Sequence, residues 1–380
     1  MRPDYGGGSL VNLMASIALS RDGTVLHAPL RILDSIDMQD ARNVILFIID
    51  GLGDRLLAKR AAGGELARRR HGSMTSVFPS TTASAITTSY TGRTPLEHGL
   101  TGWFTYFPEA GCVAAALPFR SRGDYLPLST KGVSPEAIYT SGSFFETLPV
   151  RSIVVTHRDI IDSPYNVHHC RGAERRPYTT VDELVAGIET AVKSSDRRKF
   201  IYAYWPEYDA TSHVHGCEGP EAMAKVAEID AAFGSLVSRL SGTESLIIAT
   251  ADHGFLDCRL EDCQELPATL ASQLRFPLCG ERRVAFCHVR SEKEFVAKAK
   301  EWLGERAEVR PSRDLVAEGW FGGGAPHPLI AERTGDVAIL MKDRYTLKDW
   351  LPGEPRHLHI GNHGGTSEDE MTIPLIMEKT

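Results

Sequence analysis

The chain of 380 residues is 42% hydrophobic and 24% charged, with a formal net charge of −7. That length allows one large α/β domain with insertions or two domains, and the acidic balance excludes a nucleic-acid duplex binder relying on a general basic excess. Seven cysteines without a repeated spacing predict reduced thiols and a cytoplasmic protein rather than a disulfide framework.

The N-terminal stretch MRPDYGGGSLVNLMASIALSR has Asp4 where a secretory leader carries basic residues, and Asn12 and Ser16 interrupt its apolar part. A leader is therefore not expected. No run approaches the ~18–20 apolar residues of a membrane helix, so no membrane partner is expected either.

The first buried strand is Val44 to Ile49 (VILFII), and it leads directly into Asp50. Next comes FPSTTASAITTSYTG, Phe78 to Gly92, where Pro79 ends the preceding element and Ser80, Thr81 and Thr82 offer N-cap hydroxyls to a small-residue helix. Alone, this segment is a capped helix. Its first turn also presents unpaired N–H groups and a positive dipole end, which suit an oxyanion or phosphate.

Residues 103–198 are rich in Pro, Gly and aromatic residues and are expected as a cap-like insertion. Within them, Ser152 to Val155 is a short strand and Thr180 to Val192 has helical periodicity. The strand Phe200 to Trp205 follows, then Asp209 and His213, four apart on one side of a helical turn. A helix over Pro220 to Leu240 precedes the strand Leu246 to Ala249, which ends in Asp252-His253. Residues 256–355, with strand candidates at Val284 to Val289 and Val337 to Met341, are expected as a second insertion. The Gly-rich stretch GNHGGTSEDE then supplies His363.

Alternating apolar strands and helices predict an α/β fold: one mostly parallel central sheet with helices on both faces, in a single domain over residues 1–380. In such sheets, ligands bind beyond the carboxyl ends of the strands. Asp50, Asp209, His213, Asp252, His253 and His363 are thus expected to converge. Three Asp and three His make an N/O ligand set suited to Zn²⁺ or Mn²⁺. The set is too large for one tetrahedral ion and suits two, whose net positive charge would attract an anionic substrate. His215, His357 and His359 are expected as neighbouring or surface residues.

IIDGLGD, FPSTTASAITTSYTGRTPLEHGL, PEYDATSHVHG, ADHG and GNHGG together resemble the alkaline phosphatase superfamily, and within it the nucleotide pyrophosphatase/phosphodiesterase (type I phosphodiesterase) family. That family's nucleophile lies ten residues before the Gly of its TG-x-x-P-x-x-HG stretch. With Gly92 in that place, the resemblance implies Thr82 as nucleophile. It further implies one zinc on Asp50, Asp252, His253 and Thr82, and another on Asp209, His213 and His363, with Mn²⁺ possible. One departure is Ala85, where type I phosphodiesterases usually carry a phosphate-holding Asn.

The implied activity is a metal-dependent hydrolase of small phosphorylated, nucleotide-like phosphodiesters, acting through a phospho-threonine intermediate. Alternatives of the same fold are a phosphomonoesterase, a phosphonate hydrolase of the phosphonoacetate hydrolase type and, less favoured, a phosphomutase. The backbone N–H of Ala83, together with Ser84, Trp103 and Tyr106, is expected to contact the substrate.

Overall fold

The computed structural model describes residues 1–33, 38–354 and 356–380. Strands Asn43–Ile49, Lys199–Trp205 and Ser245–Thr250 are buried at every position. Side chains alternate sides along a strand, so unbroken burial means that both faces of the sheet are covered. These three strands are the centre of a seven-stranded sheet. Arg151–His157 and Ala173–Tyr178 extend it in parallel on one side. On the other side Thr372–Lys379 pairs antiparallel with Ser245–Thr250, and Arg70–Thr75 forms the edge.

Register brings the strand ends together. Ile49 is paired with Trp205 and Ile48 with Thr250, so Asp50, the helix Glu207–His215 and the Asp252-His253 pair all leave the same edge. This agrees with the α/β fold expected from the sequence.

A second seven-stranded sheet is antiparallel throughout. It is built from two distant pieces of chain, Phe104–Phe107, Cys112–Ala115 and Arg120–Ser121 from one and Cys279–Gly280, Val284–Cys287, Ala307–Pro311 and Val337–Met341 from the other. Its strands feed two small cores with the two-residue period of a pleated strand. Ala285, Cys287, Val337 and Ile339 pack with Phe295, Ala299 and Leu303 of the helix Glu292–Leu303. Val284, Phe286, Ala338 and Leu340 pack instead with Phe78 and Leu96, which flank the helix Thr82–Thr91.

Two expectations are corrected. Residues 103–198 are not one insertion: 104–121 join the second sheet, whereas Arg151–His157, Ala173–Tyr178 and the helix Val181–Lys193 belong to the main sheet. The run Ile153-Val154-Val155 pairs in parallel with Ile201-Tyr202-Ala203 and needs cover on both faces, although no acid cluster follows it. The apolar runs near 284–289 and 337–341 are covered on both faces, but by the two small cores of an antiparallel sheet.

Candidate active site

Asp50, Asp252 and His253 are all but fully buried, and His363 is 7% exposed. Asp252 Oδ1 accepts the backbone N–H groups of Gly51 and His253, both at 3.0 Å, which fixes the carboxylate. Asp50 Oδ2 accepts the Tyr204 hydroxyl. The other oxygens differ. Asp50 Oδ1, Asp209 Oδ1 and Asp252 Oδ2 are buried and have no hydrogen-bond partner among the described residues. Orphaned buried carboxylate oxygens are costly, and three in one place call for a cation.

The histidines are arranged to match. His213 Nδ1 lies 3.0 Å from the Gly361 carbonyl, His253 Nδ1 3.1 Å from that of Gly254, and His363 Nδ1 3.3 Å from that of Ser80. With Nδ1–H donating to a carbonyl, each ring leaves the Nε2 lone pair free to bind metal. His213 Nε2 and His363 Nε2 are 3.3 Å apart, each 3.6 Å from Asp209 Oδ1. His253 Nε2 is 3.3 Å from Asp50 Oδ1, 3.5 Å from Asp252 Oδ2 and 3.8 Å from Asp209 Oδ1.

Two groups of potential ligand atoms, each lying within 4.8 Å of one another, result: Asp209 with His213 and His363, and Asp209 with Asp50 and His253. Asp209 reaches both, whereas the resemblance placed it in one. Donor type, burial and the orphaned oxygens fit a pair of divalent ions.

Burial without a counter-ion shows in the protonation equilibria. It raises Asp50 to about 6 and Asp252 to about 8. Asp209 is pushed well above the carboxylate range by burial, then by the charges of Asp50 and Asp252. His213 is lowered to about 4 and His363 well below its usual value, both mainly by burial. All of these favour neutral forms where a cation would favour the charged carboxylate.

Thr82 opens the helix Thr82–Thr91, and its Oγ1 lies 3.2 Å from His253 Nε2. Ser80 locks this segment to the His363 loop by donating to the Gly365 carbonyl at 2.9 Å. Thr81 is the N-cap by backbone geometry, yet its hydroxyl makes no cap bond. It donates to Glu281 Oε1 at 2.6 Å, where the Trp103 N–H also arrives at 2.6 Å. The first-turn amides beside Thr82 are therefore left without a side-chain cap and stay available to an anion.

A cavity of about 760 Å³ opens from this cluster, within the size range of small-molecule sites. Thr82, Asp209, His213 and His363 form one end, and Trp103, Phe104, Tyr125, Arg122, Glu281, Arg282 and Lys348 line its walls. Of the four expected substrate contacts, Trp103 lines the cavity. Ala83 is fully buried, and the Ser84 hydroxyl donates to the Leu100 carbonyl, since two residues turn it about 200° around the helix from Thr82.

Tyr106 is turned to a different use, stacking on Phe276 with ring centroids 4.0 Å apart and touching His288. It follows Phe104 along the strand by two residues, or about 7 Å, which carries it away from the cavity. Ala85 is packed in the main core and does not line the cavity. His359 and His357 also line the cavity, with the His359 ring 4.3 Å from that of His213.

Sequence reading missed Glu281. It is brought into place where Gly102 and Gly280 meet: a Cβ on Gly102 would sit 2.5 Å from the Gly280 Cα, and one on Gly280 (φ +84°) would sit 2.3 Å from the Val284 carbonyl oxygen. The glycines on both sides of that contact were the available cue.

The profile of the type I phosphodiesterase / nucleotide pyrophosphatase family matches residues 44–366. Over 88 residues the chain is 39% identical to the bis(5'-adenosyl)-triphosphatase ENPP4 of Bos taurus, a match covering 22% of this chain and only 19% of that relative. Among solved structures, murine ectonucleotide pyrophosphatase / phosphodiesterase 5 (ENPP5) superposes with a TM-score of 0.66 at 17% identity, over 87% of each chain. An inactive threonine-to-alanine variant of the murine protein, in complex with AMP, gives 0.66 at 16% identity, again over 87% of each chain. Phosphonoacetate hydrolase from Sinorhizobium meliloti 1021, in complex with phosphonoformate, gives 0.65 at 15% identity, over 93% of this chain and 92% of that one. At such identities the structural likenesses establish the fold.

Proposed function

Because this chain belongs to the type I phosphodiesterase / nucleotide pyrophosphatase family, we propose that it is a metal-dependent phosphoric ester hydrolase that cleaves small, nucleotide-like phosphodiesters or pyrophosphates with Thr82 as nucleophile. One observation carries this reading: the Thr82 hydroxyl, at a helix start without a side-chain cap, lies 3.2 Å from His253 Nε2, which is itself 3.3–3.8 Å from three buried carboxylate oxygens without a hydrogen-bond partner among the described residues.

Asp50, Asp252, His253 and Thr82 would hold one divalent ion, and Asp209, His213 and His363 the other, with Asp209 Oδ1 also within reach of the first. Zinc is the ion of choice, and manganese would be accepted by the same donors. When bound, the pair supplies Lewis acidity, lowering the pKa of a coordinated alcohol or water and offsetting charge at phosphorus.

The remaining contributions come from the chain itself. Thr82 Oγ1 gives up its proton and forms a bond to phosphorus while the bond to the leaving oxygen breaks; the proton ends on that oxygen, the leaving group departs as an alcohol or acid, and a phospho-threonine ester remains. Water then attacks that ester, the bond to Oγ1 breaks, and the regained proton restores the hydroxyl. Two inversions give retention at phosphorus. The first-turn N–H groups receive the non-bridging oxygens, and the Trp103 ring offers a stacking surface to a base or aryl group. The inactive threonine-to-alanine variant of the ENPP5 neighbour supports this role for a threonine.

The test is a set of rates on bis-p-nitrophenyl phosphate, p-nitrophenyl phosphate and phosphonoacetate, with zinc and manganese measured alongside. The diester is expected to be cleaved fastest, and a clear preference for the monoester overturns the diesterase reading. A phosphonate hydrolase is the second reading, favoured by the extent of the superposition on the phosphonoacetate enzyme. Seven unpaired thiols support a reducing compartment, and we place the protein in the cytoplasm on that basis. Among the described residues no helix is long and apolar enough to cross a membrane.

A further inference from the structure

Three cationic side chains line the cavity, and two of them are already balanced. Arg122 lies between Asp349 at 2.6 Å and Glu354 at 3.0 Å. Lys348 is 3.7 Å from Glu354 and sits over the Trp350 ring. Arg282 is different. Its side chain makes one hydrogen bond, from Nη2 to the His357 carbonyl at 3.3 Å, and no ion pair among the described residues. Glu281, adjacent in sequence, is directed to Thr81 and the Trp103 N–H.

Among the described residues no carboxylate lies within ion-pair distance of this half-buried guanidinium; Glu281 and Glu354 act on its charge only from further away, which leaves a direct contact open to an incoming anion. Arg282 shares the cavity with Thr82 and His213. Trp103, Phe104 and Leu278 give the same cavity an apolar lining. A molecule seated on Thr82 and extending along these walls would meet a cation that has no direct ion pair among the described residues.

We propose that Arg282 is a specificity-determining residue that pairs with a second anionic group, a carboxylate or a phosphate, carried by the substrate beyond the reacting phosphorus. The inference rests on the phosphoester-hydrolase reading and narrows its substrate class. A planar guanidinium suits either group, since both present two oxygens to its fork of donors.

The experiment uses calorimetric titration of the full-length, metal-loaded protein with methylphosphonate, which has one anionic group, and with phosphonoformate and methylenediphosphonate, which have two. Wild type is expected to bind a two-anion probe about ten- to a hundredfold more tightly than methylphosphonate. R282A is expected to cut that preference by about tenfold or more, and R282K to recover part of it. The probe that loses more in R282A identifies a carboxylate or a phosphate as the partner. R282Q replaces R282A if circular dichroism shows the alanine variant unfolded. Absence of a preference in wild type, or a preference unchanged by R282A, overturns the proposal. Failure of the hydrolase reading shows separately, as absence of turnover of bis-p-nitrophenyl phosphate by wild type.

Discussion

The hydroxyl of Thr81 donates to Glu281 Oε1 at 2.6 Å across 200 residues of sequence, instead of capping the helix that Thr81 begins. The bond ties the start of the main-sheet helix to the turn after Cys279–Gly280 in the second sheet, and it leaves the amides beside Thr82 open. Glu281→Ala is expected to lower kcat/KM on bis-p-nitrophenyl phosphate by about ten- to a hundredfold, the size of one or two charge-assisted hydrogen bonds. Glu281→Gln, which keeps an acceptor, is expected to lose less. An alanine variant with wild-type kcat/KM would remove Glu281 from this role.

Thr82→Ala is expected to reduce turnover by at least about a thousandfold, because among the described residues no other hydroxyl takes its place beside His253 Nε2. Thr82→Ser keeps the nucleophilic oxygen and is expected to retain measurable turnover. Mass spectrometry of rapidly quenched wild type should find the added phosphoryl group on the peptide containing Thr82.

Asp209 Oδ1 lies within reach of both groups of potential ligands, so its loss should disturb both ions. Asp209→Asn is expected to leave less than about one metal per chain, whereas His363→Ala removes one ion and spares the other. Elemental analysis after dialysis distinguishes the two patterns. Equal loss in both variants would mean that Asp209 is not shared.

The raised carboxylates give a pH signature with a definite sign. In metal-free protein Asp252 stays protonated up to about 8, while in the unfolded chain it ionises near the usual value of about 3.9. Between these limits the folded state binds more protons, so this group makes stability fall as pH rises, by about 1.4 kcal/mol per pH unit at most. Metal-free Asp252→Asn is therefore expected to gain stability over metal-free wild type from about pH 4 to 8, as read by denaturant unfolding. Metal affinity of wild type should increase over the same interval, because ions displace protons from Asp50 and Asp252.

The candidate site was legible because its residues are locally marked: each acid or histidine pair follows an apolar strand or sits in a Gly-rich stretch, and parallel register places strand ends at one edge. The cavity walls were not. Glu281, Arg282 and Trp103 meet through a sheet assembled from pieces separated by more than a hundred residues, and no short spacing records that pairing. Tyr106 misled because an aromatic residue near the nucleophile segment has the same composition whether it faces a ligand or Phe276. Ile153 to Val155 had the apolar run of a central strand, but it stands within a long Pro-, Gly- and aromatic-rich interval, which hid its place in the main sheet.

The two sheets divide the labour of recognition in a way that bears on how the protein can change. The ligand-bearing loops leave one sheet, while the opposite wall, from Leu278 to Arg282, belongs to the other. The interlayer contact of Val284, Phe286 and Leu340 with Phe78 and Leu96 acts as the bearing between them. Substitutions at Val284, Phe286 and Leu340 would act on the width of the cleft from the second sheet, whereas Phe78 lies two residues from Ser80, whose carbonyl meets His363 Nδ1, and would act on both. A library confined to Val284, Phe286 and Leu340 is thus the one that would vary substrate range with least effect on the candidate ligand set.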